Sequence, residues 1–486
     1  MNFRNLLLSV ACLFVISPPL WGQESFSDLL RRVPASANAL MVIDVDGVFS
    51  SPIAVHEGWK DQHEAEFVKR PLMLPPEADR IVVASQMKPH RDFEQNWELA
   101  VMHLTEPFSM RSVARAEGGY TDEINGQAAA WTPSDAYFVS LDSSVMGVMY
   151  PADRQAVSRW VGISQMKQTS NLSAYLNEAS ASATKQTPIV MALDLGDIVV
   201  PHVLDQGLRD ARLTKDDPAK QRASKAVILS LQGVVLNVEL GDKPQGTFQV
   251  DFTQSPEVFG NDAKGLVLEA ASRFGVGIEN LDDWQATVQS NSIVMKGELS
   301  KTAMRKLFSL MELPSAKFST LKNEKPAPDD QETIGKATQA YYQSLSTLLD
   351  DIRKEFTTNR DARRTMAPVY LERYGRMIDR LPILNVDEEL LAFGASVSET
   401  LRSMSVAQKS GGVKAGVRKS QTYGAYSYNY DNNGYYYRRP TQSVRTQIDR
   451  EEQGKARVIR FQSWKQIEDG LSDVRKKMTA KYRVAF

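Results

Sequence analysis

Short apolar runs alternate with amphipathic stretches through the first two thirds of the chain. The run at 38–46 is apolar on both faces of an extended backbone, which is typical of a strand buried inside a sheet. Similar runs at 80–87 and 97–104 predict two more strands, and Asn125-Gly126 predicts a hairpin turn. Helical patterns lie between the strands, so the sequence predicts an α+β fold.

The same order of strands and helices begins again near residue 188. A shift of 150 residues superposes Val42-Ile43-Asp44-Val45 on Ala192-Leu193-Asp194-Leu195. We therefore predict two similar α/β modules with antiparallel-rich sheets, related by internal duplication and followed by a C-terminal helical region. A chance match of one strand is the alternative. Different strand orders in the two modules would exclude the duplication.

The last third of the chain has helical periodicity. Two sets of apolar residues recur at spacings of three and four, and each predicts one buried helix face. The first set is Tyr342, Leu345, Leu349, Ile352 and Phe356, and the second is Trp464, Ile467, Leu471, Val474 and Met478. Neither set continues for three heptads, so a helical bundle or hairpin that packs on the body is favoured over a free coiled coil.

These patterns divide the chain into six segments, because 486 residues exceed what one hydrophobic core usually holds. Residues 323–330 are rich in proline and charge and predict a linker. The predicted segments are a signal peptide at 1–22, modules at 23–180 and 181–322, a helical region at 323–409, a low-complexity Tyr/Gly/Arg loop at 410–442 and a basic amphipathic helix at 443–486.

The first 22 residues have the composition of a secretory signal peptide. A basic residue, Arg4, precedes an apolar run of about 11 residues, which is shorter than the roughly 20 that span a bilayer. We expect cleavage after Gly22 and a periplasmic or extracellular protein without a transmembrane segment. The single cysteine, Cys12, lies within this segment, so the mature chain is predicted to be free of disulfides.

Charge is distributed unevenly between the two ends of the chain. Residues 402–486 contain 18 Lys and Arg against 7 Asp and Glu, a balance of +11, whereas the remainder is acidic. Cations and tyrosines interleave near the start of this tail, which suits binding to an anionic polymer. The candidate binding residues are Arg418, Lys419, Tyr435, Tyr436, Tyr437, Arg438 and Arg439.

Three interpretations of this tail remain open. It could bind an envelope polymer or another exported protein, it could dock on the acidic body and neutralise it, or it could be a disordered spacer. Nucleic acid is not an expected partner, because an exported protein seldom meets it. The sequence gives no expectation for the oligomeric state.

Asp44 and Asp46 are the only candidates for catalysis. The segment Leu40–Phe49 resembles the first motif of haloacid-dehalogenase-type phosphatases, which implies that Asp44 attacks phosphorus, that Asp46 protonates the leaving group and that Mg²⁺ shields the charge. The late acidic motif of that family has no match in the sequence. An aspartate that recurs at the ends of two strands is better explained as a cap or turn residue that accepts hydrogen bonds from backbone N–H groups. We therefore predict no enzyme activity, no cofactor and no metal site.

Two segments, Val33–Ala54 and Val474–Phe486, together with the Tyr/Gly-rich stretch before the last helix, resemble an uncharacterised family of exported bacterial proteins. The resemblance implies export and this order of segments, and it implies no activity or site residues. The sequence therefore predicts an exported, non-enzymatic scaffold or binding protein of the cell envelope. Binding of an anionic polymer through the tail and a secreted Mg²⁺-dependent phosphatase are the alternatives.

Overall fold

The structure is a computed structural model of the whole chain. The residues that it describes are 23–60, 74–75, 77–88, 94–133, 135–166, 169–210, 217–273, 277–278, 280–311, 331–357, 368–379, 381, 386–421, 426–430, 436–440 and 442–486. The predicted signal peptide and the predicted linker lie outside these ranges. Among the described helices, none combines the length and the apolar character needed to cross a membrane.

Strands dominate the first 300 residues and helices the remainder. The strands are β1 (Ala39–Asp44), β2 (Ala78–Lys88), β3 (Glu94–Leu104), β4 (Tyr120–Ile124), β5 (Gln127–Thr132), β6 (Ala136–Ser140), β7 (Val145–Tyr150), β8 (Ile189–Asp194), β9 (Leu231–Glu239), β10 (Gln245–Phe252), β11 (Gln285–Gln289), β12 (Ser292–Glu298), β13 (Tyr426–Tyr430) and β14 (Tyr436–Pro440). The helices are α1 (Gln23–Leu30), α2 (Val45–Phe49), α3 (Pro52–His56), α4 (Met110–Glu117), α5 (Arg154–Ser164), α6 (Ala174–Ser180), α7 (Pro201–Asp210), α8 (Pro218–Leu229), α9 (Ala263–Arg273), α10 (Lys301–Phe308), α11 (Gln331–Thr357), α12 (Pro368–Asp379), α13 (Glu388–Gln421) and α14 (Gln442–Tyr482).

Twelve of the strands form one sheet in the order β11-β12-β10-β9-β8-β1-β2-β3-β7-β6-β5-β4. Every neighbouring pair in this sheet is antiparallel. The centre is the pair β1 and β8, the first strands of the two predicted modules. The predicted α+β fold of two modules followed by helices is confirmed, but the modules share one continuous sheet because β1 and β8 pair edge to edge.

The two halves of the sheet have the same strand order. From the centre outward, β1-β2-β3-β7-β6 in the first half corresponds to β8-β9-β10-β12-β11 in the second, and only the first half adds the hairpin β4–β5. The arrangement that would have excluded a duplication is therefore not observed. Common ancestry of the two modules stays a prediction, and so do the segment boundaries.

The sheet separates two hydrophobic cores. Alternate residues of β1 enter opposite cores, with Met41 and Ile43 on one side and Leu40 and Val42 on the other. The strand predicted to be apolar on both faces is thus confirmed as a central strand. On the side of Met41 the core continues into α10–α14, and on the side of Leu40 it contains α1, α5 and α6.

The helical region is attached to the second module by a buried ion pair. Arg305 of α10 makes two hydrogen bonds of 2.6 Å to the carboxylate of Asp351 in α11. The hydroxyls of Thr302 and Tyr374 also donate to Asp351, so α10, α11 and α12 converge on one carboxylate. Because the pair is buried and its oxygens are satisfied, removing either partner would leave an uncompensated charge in the core.

A second buried pair attaches the helical region to the first module. Arg373 of α12 lies 3.6 Å from Glu98 of β3, and their side chains are 3% and 2% exposed. One turn further along α12, Arg376 lies over the ring of Tyr150, which is the partner of Glu98 across β3 and β7. The helices therefore dock on the face of both halves of the sheet.

The two predicted helix faces are buried as expected. On α11, Tyr342, Leu345, Leu349 and Ile352 belong to the core, whereas the Phe356 side chain lies outside the described set. On α14, Leu471 is half-buried and the other four residues of its face are buried.

The described parts of the segment 410–442 form regular elements, whereas the sequence predicts a low-complexity loop there. Helix α13 continues to Gln421, β13 and β14 pair as a hairpin, and α14 begins at Gln442. The glycines in this part of α13 disfavour an isolated helix. Packing of α13 along α14 provides the tertiary support that the sequence pattern does not reveal.

Candidate functional site

The candidate tail residues lie in one structural unit. We call residues 405–461 the arm, and it consists of the end of α13, the hairpin β13–β14 and the first half of α14. Arg418 and Lys419 are in α13, Tyr436, Tyr437, Arg438 and Arg439 are in β14, and Tyr435 lies outside the described residues. The arm contains 11 Lys and Arg against 4 Asp and Glu, a balance of +7.

The register of the hairpin groups the tyrosines. Tyr428 pairs with Arg438, and Tyr430 pairs with Tyr436. Because paired positions of an antiparallel ladder share one face, positions 426, 428, 430, 436, 438 and 440 lie on the same face of this ribbon. Four of these six positions are tyrosine and one is arginine. The backbone therefore brings together the aromatic and cationic residues that the sequence only lists nearby.

The arm begins where α14 leaves the core. The buried face of α14 starts at Trp464, and the positions that would continue it toward the N-terminus, 460, 457 and 453, are Arg, Arg and Gln. None of the described side chains between Glu451 and Ser463 is buried. The last buried side chain described on α13 is Ser405. Among the described side chains, burial therefore ends at Ser405 along α13 and begins at Trp464 along α14.

Exposed apolar residues lie near these two limits of burial. Phe461 is 63% exposed, and Val458, Ile459 and Val406 are 46–65% exposed. Val458, Ile459 and Phe461 lie on α14 out of phase with the buried face that begins at Trp464, so this helix exposes them to solvent. Sequence reasoning missed these residues, although the break in phase before Trp464 was the signal that could have revealed them.

The other end of α14 is bound to the body through Asp387. This carboxylate accepts a hydrogen bond from the Glu389 N–H at the start of α13 and others from Lys481 and Tyr482 at the end of α14. Its own N–H donates to Thr338 of α11. Burial alone would raise the pKa of Asp387, but the hydrogen bonds from Lys481 and Tyr482 outweigh burial and lower the pKa below its usual value.

The last residue of the chain packs in the same place. Phe486 is buried and meets the ring of Tyr342 edge-on at 5.8 Å, while its carbonyl accepts a hydrogen bond from Arg475. Lys477 pairs with Glu389 nearby. The C-terminal half of the basic tail therefore docks on the body, whereas Ser405 is the one described side chain of the arm that is buried.

Asp44 is a helix cap, as predicted. It follows β1, and its carboxylate accepts a 2.8 Å hydrogen bond from the Gly47 N–H at the start of α2. Asp194, at the end of β8, accepts in the same way from Gly196 N–H. Asp46 is exposed in the first turn of α2. Within the described ranges, no three His, Cys, Asp or Glu side chains are grouped closely enough to hold a metal ion.

Comparison with known proteins adds little to this geometry. No protein-family model matches the chain, and no curated protein matches it. Among solved structures, crystal form I of TP0453 matches at 12% identity over 58% of this chain and 97% of that chain, with a TM-score of 0.32. Crystal form IV of TP0453 matches at 11% identity over 59% and 98%, with a TM-score of 0.29. Similarity at this level carries no argument about function.

Proposed function

We propose that this protein is an exported, non-enzymatic scaffold or binding protein of the cell envelope, and that the arm is its binding element for an anionic envelope polymer. The observation that carries the proposal is the separation of the tail into a docked half and a basic arm. Cations that pair with the body, such as Lys477 and Lys481, lie in the docked half. The arm carries a net positive charge, and its described side chains other than Ser405 are exposed or half-buried.

Export is part of this proposal and is supported by the composition of residues 1–22 and by the resemblance to exported bacterial proteins. The basic residues of the arm suit association with carboxylate or phosphate groups, because neutralising a polyanion releases its counterions. Tyrosine at four of six positions on one face of the hairpin suits stacking on rings of the same polymer.

The test must remove the arm and keep the docked half of α14. Truncation at residue 401 would delete Trp464, Met478 and Phe486 from the core, so its result would not be interpretable. Replacing residues 408–456 with a Gly-Ser linker leaves these residues in the chain, and α13 and α14 pack against each other in the intact protein. Unfolding in urea should give the same free energy for the variant and for the mature protein.

Binding to polygalacturonate, an anionic polysaccharide, should be measured at about 20 mM and about 150 mM salt. We expect salt-sensitive binding by the mature protein and none by the linker variant. Substitution of Lys409, Lys414, Arg418 and Lys419 by Gln should reduce the salt dependence, whereas the matched set Arg111, Lys185, Arg222 and Lys243 on the body should not. Equal binding by the linker variant would refute the proposal.

A further inference from the structure

Three aromatic residues form a row at the outer edge of the first half of the sheet. Tyr120 of β4 lies directly opposite Trp131 of β5, and Trp131 lies directly opposite Tyr137 of β6. Opposite residues of antiparallel strands project to the same side. The row therefore lies on the side of the sheet that α1, α5 and α6 cover elsewhere, since Trp131 and Tyr137 belong to that core.

The ring of Tyr120 is held in place although it is exposed. It stacks on Trp131 with a centroid distance of 5.1 Å and an interplanar angle of 22°. Burial, with smaller contributions from Tyr120 and Asp122, raises the pKa of the neighbouring Tyr137 hydroxyl to about 12. Tyr120 is 54% exposed, so a ring supported on one face remains open to solvent.

The backbone before Tyr120 brings the chain close to Trp131. Helix α4 ends at Gly118 in the left-handed conformation, and a Cβ on Gly119 would lie 1.8 Å from the carbonyl oxygen of Trp131. Only glycine allows this approach, because any side chain would overlap the neighbouring strand. The aromatic stack is thus built by local backbone geometry, and not by the chance contact of two surface side chains.

A charged pair lies beside the aromatic row. Asp122, two residues after Tyr120 in β4, accepts hydrogen bonds from the Tyr137 hydroxyl at 3.2 Å and from Arg154 Nε at 3.0 Å. Arg154 also donates to the carbonyl of Glu123. Arg154 begins α5, directly after its cap Asp153, and its side chain is 58% exposed. Tyr137, the third residue of the aromatic row, is therefore hydrogen-bonded to a pair of side chains with no net charge.

We propose that Tyr120, Asp122 and Arg154 form a binding site for a neutral pyranose ring of an oligosaccharide or polysaccharide. The C–H face of a pyranose is apolar and stacks on an aromatic ring, while its hydroxyls both donate and accept hydrogen bonds. Asp122 supplies acceptor oxygens and Arg154 supplies donors at the edge of the ring. The site suits a neutral ligand, because the carboxylate of Asp122 is paired with Arg154 and the pair has no net charge.

This site lies on the opposite side of the sheet from the helical region that carries the arm, and the inference does not depend on the arm. The structural alternative is that the stack only stabilises an edge strand, as cross-strand aromatic pairs do. In that case substitution of Tyr120 would change the free energy of unfolding, and the unmodified protein would bind none of the sugars.

Binding of cellohexaose, chitohexaose and maltohexaose to the mature protein should be measured by calorimetry at concentrations up to about 5 mM. We expect at least one of the three to bind. Tyr120→Ala should weaken that binding about ten-fold, since this factor corresponds to the loss of an aromatic contact of about 1.4 kcal/mol. Tyr120→Phe keeps the stacked aromatic ring, so its affinity for the sugar should stay within about three-fold of that of the unmodified protein. Arg154→Gln should weaken sugar binding, because it removes hydrogen-bond donors.

The matched control is Val55→Ala, which removes an exposed apolar side chain from α3 on the body and should leave sugar binding unchanged. Circular dichroism and urea unfolding confirm that each variant is folded. The proposal is overturned if none of the three hexasaccharides binds, or if Tyr120→Ala binds as tightly as the unmodified protein.

Discussion

Met41 of β1 lies directly opposite Met191 of β8 at the centre of the sheet, and these residues are 150 positions apart in the chain. The backbone hydrogen bonds around them have the same symmetry, since Asp44 N–H donates to Pro188 and Asp194 N–H donates to Asn38. The shift that aligns the two strands in sequence is therefore the shift that relates them across this pair. A local two-fold axis passes between the two methionines.

The two methionines related by this axis should contribute differently to the free energy of unfolding. Met41 is completely buried, whereas Met191 is only partly buried. We expect Met41→Ala to destabilise the protein by about 3 kcal/mol and Met191→Ala by about 1 kcal/mol, because a cavity costs more where the surroundings are fully packed. Urea unfolding of the two variants measures the difference, and equal losses would contradict it.

The buried carboxylate of Asp351 should be one of the most sensitive positions in the helical region. Asp351→Asn leaves Arg305 without its charged partner, so we expect a loss of about 3–5 kcal/mol in the free energy of unfolding. The neighbouring Asp350 is exposed and lies 3.7 Å from Arg353, so Asp350→Asn should cost less than about 0.5 kcal/mol. Similar losses in the two variants would indicate that Arg305 is stabilised by other groups.

The contact of Asp387 with Lys481 predicts a pH dependence. The folded pKa of Asp387 is lowered, so its contribution to stability is complete above the unfolded pKa of about 3.9 and is lost as the pH falls through the folded pKa. We expect Asp387→Asn to be destabilised by about 2 kcal/mol at neutral pH, with a gap to the unmodified protein that narrows below about pH 4.

Asp473→Asn is the matched control for this prediction. Asp473 pairs with Lys477 within α14, and both side chains are at least half exposed. Its substitution should change stability by less than about 0.5 kcal/mol at either pH. The assignment of the effect to the Asp387 carboxylate would be contradicted if the free energies of unfolding of Asp387→Asn and of the unmodified protein differed by the same amount at neutral and at acidic pH.

Substitution of Asp44 distinguishes a helix cap from a catalytic nucleophile. Asparagine caps helices as well as aspartate does, so Asp44→Asn should retain stability, while Asp44→Ala should lose about 1 kcal/mol. If Asp44 only caps α2, the rate of Mg²⁺-dependent p-nitrophenyl phosphate hydrolysis is the same for Asp44→Asn and for the unmodified protein. Loss of a measurable rate in the stable Asp44→Asn variant would instead support the phosphatase alternative.

Local patterns identified many elements of this fold. The double-sided apolar character of β1, the apolar faces of α11 and α14 and the capping role of Asp44 were all predicted from residues within a few positions of each other. Such features follow from helical and strand geometry, which repeats over short distances. The arm was predicted only in part: its charge and tyrosine content are visible in the sequence, but its helices and hairpin depend on the packing of α13 along α14.

The sequence by itself determined the type of most elements and the basic character of the tail, and it predicted the repetition of one module. Only the tertiary structure decided that β1 and β8 join in a single sheet, that the buried face of α14 begins at Trp464, and that Asp122, beside the stack of Tyr120 and Trp131, pairs with Arg154. These contacts join residues that are distant in the chain. Their formation depends on strand order and on the competition between packing partners, and neither leaves a periodic pattern in the sequence.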